Sequence, residues 1–396
     1  MSSSSSTSPP LFNISNHIID TQHIREYPHA TKSTNDALTL AVKQYTPKSN
    51  PNPQSGDLTI VGAHGTGFPK ELYEPIWEEL YTRLQSQGGA SGLRNAEVLG
   101  NDPSWFDHAR DLLYMINQFK AEMPSPIVGI GHSLGAGQLA LLSLLHPRLL
   151  SSLILVEPVI EKDIQTGKGL AFVKQSLARK DAWASREDAG AYFAKQYRRW
   201  DARVLRQWVQ YGLRDVPFEN KDENETDGGS SNNNNSPGST AGVALVTSRH
   251  QEVTQYLRPN FQGKKPLSST LSPDDSVHDA TFHPDVIGPE HAIAPFYRYE
   301  PLILWKMLKQ IRPSVLYLFG EKSPISTPDL RAEKLHRTGS GIGGSGGCKR
   351  GMVKEVTIAG AGHHLPFERV SRVAGETAGW LKGEMESSRR REGSKL

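Results

Sequence analysis

The chain has one cysteine, Cys348, among 396 residues. It cannot close a disulfide on itself, and it offers no cysteine-based metal site. A reducing compartment fits that scarcity best. Net charge is also scarce: 45 Lys and Arg against 42 Asp and Glu leave +3. So even a balance gives no reason to expect nucleic acid as a partner. Long apolar runs are missing as well. The longest, residues 139–156, is broken by His146-Pro147-Arg148 and reads as helix, turn and strand, so no membrane span is expected. Residues 1–6 have neither the basic nor the apolar region of a secretory signal. At the other end stands Ser394-Lys395-Leu396, the tripeptide that the peroxisomal import receptor reads. The expected location is therefore the peroxisome, with that receptor as a partner.

Apolar residues make up only 36% of the chain, but the polar excess is concentrated in a few segments. Residues 1–16 are rich in Ser and Pro and are expected to be disordered. Apolar stretches at 38–45, 57–63, 126–130 and 153–156 read as strands. Helical spacing at 71–84, 105–119 and 134–145 lies between them. Alternating strand and helix argues for a mostly parallel sheet. Regularity fails after Pro158 and resumes near 301, with strands at 314–319 and 353–358. The expected organisation is a core of 17–160 and 300–385, a helical insertion at 161–299 and a tail at 386–396. Inside the insertion, 219–240 contains Asn232-Asn233-Asn234-Asn235 and reads as a disordered loop.

Gly131-His132-Ser133-Leu134-Gly135 stands between a buried strand and a helix. That is where a nucleophile elbow of the α/β-hydrolase fold belongs, and Ser133 becomes the expected nucleophile. A serine hydroxyl needs a base. The loop after the last strand, Ala359-Gly360-Ala361-Gly362-His363-His364, offers His363 or His364. An acid must orient that imidazole. After the strand at 314–319, where such an acid commonly stands, this chain has Ser323. Glu157, at the end of the strand that follows the nucleophile helix, is the expected acid, with Glu321 and Asp329 as fallbacks. The backbone of Leu134 and of Thr66, in His64-Gly65-Thr66-Gly67, should supply the oxyanion donors. Gly339-Ser340-Gly341-Ile342-Gly343-Gly344 imitates a dinucleotide motif but follows a helix. His283, Asp285 and His291 lack ligand spacing. No cofactor and no metal are expected. The partner is a small acyl ester or thioester.

Three segments carry a resemblance. They are His23-Ile24-Arg25-Glu26-Tyr27-Pro28, the run from His64-Gly65-Thr66-Gly67-Phe68-Pro69 to Pro75, and Ser104-Trp105-Phe106-Asp107-His108-Ala109-Arg110-Asp111. With the Gly-rich run 339–347, they resemble a fungal peroxisomal hydrolase family. That family includes the acyl-CoA hydrolase of the mycophenolic acid pathway and hydrolases of host-selective toxin pathways. The resemblance covers most of 17–385. It implies an acid at the Glu157 position, where this chain has glutamate instead of aspartate. It also implies His363 rather than His364 as base, and an acyl-CoA thioesterase. A carboxylesterase or lipase of the same mechanism is the alternative, as is a non-catalytic ligand-binding member. Arg198, Arg199, Arg203, Arg206 and Arg214 would suit CoA phosphates, or simply form a solvated face. One departure stands out. Between the helix at 71–84 and the Gly-Ala-Ser-Gly segment the family has a strand, and here nothing apolar fills that gap. Ala96-Glu97-Val98-Leu99 is too short and too polar for a central strand. The sheet is expected to lack a strand there.

Overall fold

The structure, a computed structural model, describes residues 11–21, 23–26, 30–33, 36, 38–84, 88–93, 103–162, 166–218, 240–259 and 296–393. Eight strands form one sheet: β1 (Phe12–Thr21), β2 (Leu38–Pro47), β3 (Thr59–Ala63), β4 (Gly88–Leu93), β5 (Ile127–His132), β6 (Ser152–Val156), β7 (Ser314–Gly320) and β8 (Val353–Ile358). Their spatial order is β1-β2-β4-β3-β5-β6-β7-β8. From β4 to β8 neighbouring strands are parallel, and β2 runs antiparallel to both of its neighbours.

Every residue of β3, β5, β6 and β7 is buried. Strands covered on both faces read as unbroken apolar runs, which is why these segments were visible in the sequence. Alternate residues feed two cores. Ile60, Ile130, Ile154 and Leu318 face α1 (Glu74–Leu84) and the C-terminal helix; Val61, Leu153, Leu155 and Tyr317 face α2 (Trp105–Gln118) and α3 (Leu134–Leu145). The chain leaves β3 for β4 through α1, then crosses back to β5 through α2. The reversal falls beside β3 and β5, and such a switch point opens a crevice at the carboxyl ends of the strands. Register brings those ends level, with Ala63 opposite Gly131, His132 opposite Val156 and Gly320 opposite Ile358.

Between β6 and β7 lie α4 (Thr166–Ala178), α5 (Arg186–Gln196), α6 (Ala202–Tyr211) and α7 (Arg249–Tyr256), with a small antiparallel sheet of Ala182–Trp183, Leu213–Phe218 and Thr240–Leu245. After the insertion come α8 (Glu300–Met307), α9 (Pro328–Arg337) and α10 (Val370–Gly393). No described helix is long and apolar enough to cross a membrane. Two of the motifs quoted above meet here. His23 and Arg25 pair with Asp111 at 2.7 and 3.1 Å, the Glu26 N–H donates to Asp107, and Arg110 pairs with Glu26 at 2.9 Å. The clasp ties the segment after β1 to the first turns of α2.

Three expectations need correction. The missing strand is present as β4. It pairs with β2 over six residues, Tyr45↔Gly88 to Leu40↔Leu93, and with β3 at Val61↔Gly89 and Gly62↔Ala90. Ladder pairing uses backbone groups, and a glycine-rich segment held between two strands satisfies donors and acceptors that would otherwise stay unpaired. Ala96-Glu97-Val98-Leu99 lies outside the described residues. Residues 12–16, read as part of a disordered terminus, form the first half of β1, where an edge strand tolerates exposed Asn and Ser. Residues 386–393, read as tail, continue α10, because Glu and Arg favour the helix. The Asn-rich run 219–239, His283, Asp285, His291 and the tripeptide Ser394-Lys395-Leu396 lie outside the described residues.

Candidate active site

Ser133 follows β5 without a spacer and adopts φ 55° and ψ −118°, a conformation costly for any residue with a Cβ. The turn is closed by glycines that nothing larger could replace. A Cβ on Gly131 would lie 2.6 Å from the Ala136 Cα, and one on Gly135 would lie 2.4 Å from the Ala63 carbonyl oxygen. The same contact packs the start of α3, and so Leu134, against the turn that follows β3. Thr66 stands in that turn with a buried hydroxyl that has no hydrogen-bond partner.

His363 Nε2 lies 3.0 Å from Ser133 Oγ, and its Nδ1 lies 3.2 Å from Glu157 Oε2. Glu157 is fully buried and, like Ser133, has a positive φ, 50°. Its backbone N–H donates to the Leu318 carbonyl at 2.9 Å, which pins the end of β6 against β7. Gly320 N–H donates to Oε1 at 2.6 Å, while the Ser323 and Ser326 hydroxyls donate to Oε2. Donors thus surround both oxygens, as an acceptor-only carboxylate requires. Ser323 occupies the place where the acid commonly stands. It is a hydrogen-bond donor to the acid that arrives from the neighbouring strand. The fallback acids lie elsewhere: Glu321 accepts the Gly360 N–H at 2.8 Å, and Asp329 is exposed in the first turn of α9.

His364 points away from Ser133. Its Nδ1 accepts a bond from Trp200 Nε1 at 3.3 Å, and burial, aided by the charge of His363, pushes its pKa down to about 3. His132 was quoted in the elbow motif but given no role. It is buried, and its ring nitrogens meet the Tyr73 hydroxyl at 2.8 Å and the His363 carbonyl at 3.0 Å. No sequence signal marks Tyr73, 59 residues upstream. Elements of the insertion also reach the site. The Phe172 ring is 6.5 Å from the His363 ring and 5.5 Å from Tyr256. Glu252, paired with Arg179, packs against Gly67 in the turn after β3.

Comparison with known proteins agrees with this architecture. The family described as "Alpha/beta hydrolase family" matches residues 60–376. A "Type I acyl-CoA thioesterase mpaH" of Penicillium brevicompactum is 36% identical over 401 residues, spanning 96% of this chain and 90% of that protein. "Abhydrolase domain-containing protein AKT2" of Alternaria alternata is 27% identical over 66% of this chain and 84% of its own length. Among solved structures, the peroxisomal alpha-beta-hydrolase Lpx1 of Saccharomyces cerevisiae superimposes with a TM-score of 0.63 at 17% identity, covering 95% of this chain and 91% of that one. An eight-stranded sheet, a strained serine after its fifth strand and identity sustained over nearly the whole length all place the chain in the alpha/beta hydrolase family.

Proposed function

We propose that this hydrolase is a serine enzyme that cleaves acyl-CoA thioesters in the peroxisome. The observation that carries the reading is the line of contacts Ser133 Oγ to His363 Nε2 at 3.0 Å and His363 Nδ1 to Glu157 Oε2 at 3.2 Å. His363 takes the proton as Ser133 Oγ bonds to the thioester carbonyl carbon, and Glu157 steadies the imidazolium. The oxyanion is held by the backbone N–H groups of Thr66 and Leu134. Collapse breaks the carbon–sulfur bond, and the CoA sulfur leaves with the proton from His363. Water then attacks the acyl-serine with His363 as base, releasing the acid and restoring Ser133. The thioesterase assignment draws on the Penicillium relatives, whose names state that activity. Of the five arginines on the insertion, Arg199 pairs with Glu368 and Arg203 with Asp201 and Glu79. Arg198, Arg206 and Arg214 are exposed and remain for the phosphates of CoA.

The test compares a medium-chain acyl-CoA with its matched oxygen ester and adds a fluorophosphonate probe. The expected result is faster turnover of the CoA ester and labelling that disappears in Ser133→Ala. Turnover of the oxygen ester alone would replace the thioesterase with a carboxylesterase. A wild type that neither labels nor turns over would leave only a ligand-binding role. The peroxisomal setting rests on Ser394-Lys395-Leu396. A fluorescent protein fused ahead of the chain should collect in peroxisomes, and removal of Leu396 should release it.

A further inference from the structure

The serine mechanism uses His363 but leaves a second imidazole, His132, buried directly beneath it at 1% exposure. Four groups form a chain there. The Gly65 N–H lies 2.9 Å from the Tyr73 hydroxyl oxygen, which lies 2.8 Å from His132 Nδ1, and His132 Nε2 lies 3.0 Å from the His363 carbonyl oxygen. The proton positions follow from the ends inward. A carbonyl can only accept, so His132 Nε2 carries a hydrogen and donates it. An amide N–H can only donate, so the Tyr73 oxygen accepts from Gly65 and gives its own hydrogen to His132 Nδ1. The two inner members, Tyr73 and His132, each have one donor and one acceptor role in the chain, and each role is filled. Burial, reinforced by the neighbouring His363, holds the His132 pKa well below 6.5, which keeps Nδ1 free to accept.

Resting on the serine-hydrolase reading, we propose that Tyr73 and His132 are positioning residues that lock the oxyanion turn and the loop of His363 into one rigid unit. Gly65 precedes Thr66, the proposed oxyanion donor, and His363 is the proposed base. The chain therefore fixes the place where negative charge develops relative to the group that moves the proton. It also commits the Gly65 N–H to Tyr73, which takes that group out of competition for the oxyanion. The His132 ring has little room to leave, since the His363 and Phe367 rings lie 5.4 Å away on either contact and a Cβ on Gly65 would sit 3.0 Å from Nδ1. The requirement at position 132 is thus an acceptor and a donor on opposite sides of one small rigid group. A glutamine amide meets it and a leucine does not.

The experiment uses the full chain as wild type, Tyr73→Phe, His132→Leu and His132→Gln. It measures kcat, KM, fluorophosphonate labelling rate and melting temperature, with whichever ester the wild type cleaves. A misplaced base or donor costs on the order of 10²-fold even when the shift is about 1 Å. His132→Leu should therefore lose about 10²-fold in kcat with KM within about twofold, and Tyr73→Phe about tenfold. His132→Gln should recover about tenfold over His132→Leu. A merely structural role would lower the melting temperature of both His132 variants alike and leave kcat per folded molecule unchanged. The proposal is overturned by wild-type kcat in folded His132→Leu or by a glutamine variant no better than the leucine one. If His132→Leu fails to fold, undiminished kcat in Tyr73→Phe overturns it, since that change removes only the hydroxyl. A wild type that neither labels nor hydrolyses defeats the serine-hydrolase reading instead, so the two failures are distinguishable.

Discussion

Glu157 reaches His363 from the end of β6, and Ser323 reaches the same carboxylate oxygen from the loop after β7. Two loops therefore converge on one point beside the imidazole. On the proposed mechanism, replacing Glu157 by alanine should cut kcat by about 10⁴-fold, the loss seen when the orienting acid of a Ser-His-Asp triad is changed. The double variant Glu157→Ala with Ser323→Asp should regain about tenfold or more, because an aspartate at 323 starts within hydrogen-bonding reach of the vacated oxygen position. A double variant no more active than the single one would contradict that geometry. At this scale the sequence was informative where a local backbone demand forces the residue type. Gly131 is demanded by contacts within the turn itself and Gly135 by the close approach of the end of β3, and the spacing of the two glycines exposes Ser133. His132 and Tyr73 were illegible because their partners come from other parts of the chain.

The elements divide in the same way. β3, β5, β6 and β7 announced themselves as apolar runs because both of their faces are covered. β4 did not, because its pairing is a property of its neighbours and glycine weakens a strand from within. Its ladder to β3 has two register pairs, while β3 and β5 share five, from Thr59↔Ile127 to Ala63↔Gly131. The side of β4 that faces β3 is thus held by a short ladder even though β2 holds the other side over six pairs, and a short ladder means a low local opening energy. Native-state hydrogen exchange should therefore find the β4 amides exchanging at least about tenfold faster than those of β5. Equal protection in the two strands would show that β4 is as firmly held as the centre of the sheet. β1 was hidden for another reason: exposed Asn13, Ser15 and Asn16 interrupt its apolar residues on both faces of an edge strand.

For the molecule as a whole, the buried histidines set an acid limit on stability. Burial pushes His364 down to about 3 and His108 down to about 4 from the ordinary 6.5, and His132 lies well below it. The unfolded chain takes up these protons near pH 6.5 while the folded chain does not. Unfolding is therefore favoured as pH falls below 6.5, down to about 3 for His364 and about 4 for His108. Each such group removes about 1.4 kcal/mol per pH unit within its window. The urea midpoint should be flat from about pH 7.5 to 7 and fall clearly by about pH 5. A midpoint that holds or rises on acidification would mean that these imidazoles are charged in the folded protein.

The meeting of Glu157 and Ser323 on one oxygen also bears on how such a site changes over generations. A single substitution at 323 would place a second carboxyl beside the first, and the pair could share one proton. A later substitution at 157 would then leave the acid on the other strand. His363 would have a partner at every step, so the charge can migrate between loops without passing through a dead enzyme. Where the acid sits along the chain is therefore a weak guide to descent in this fold, and the point in space that it occupies is the stronger one.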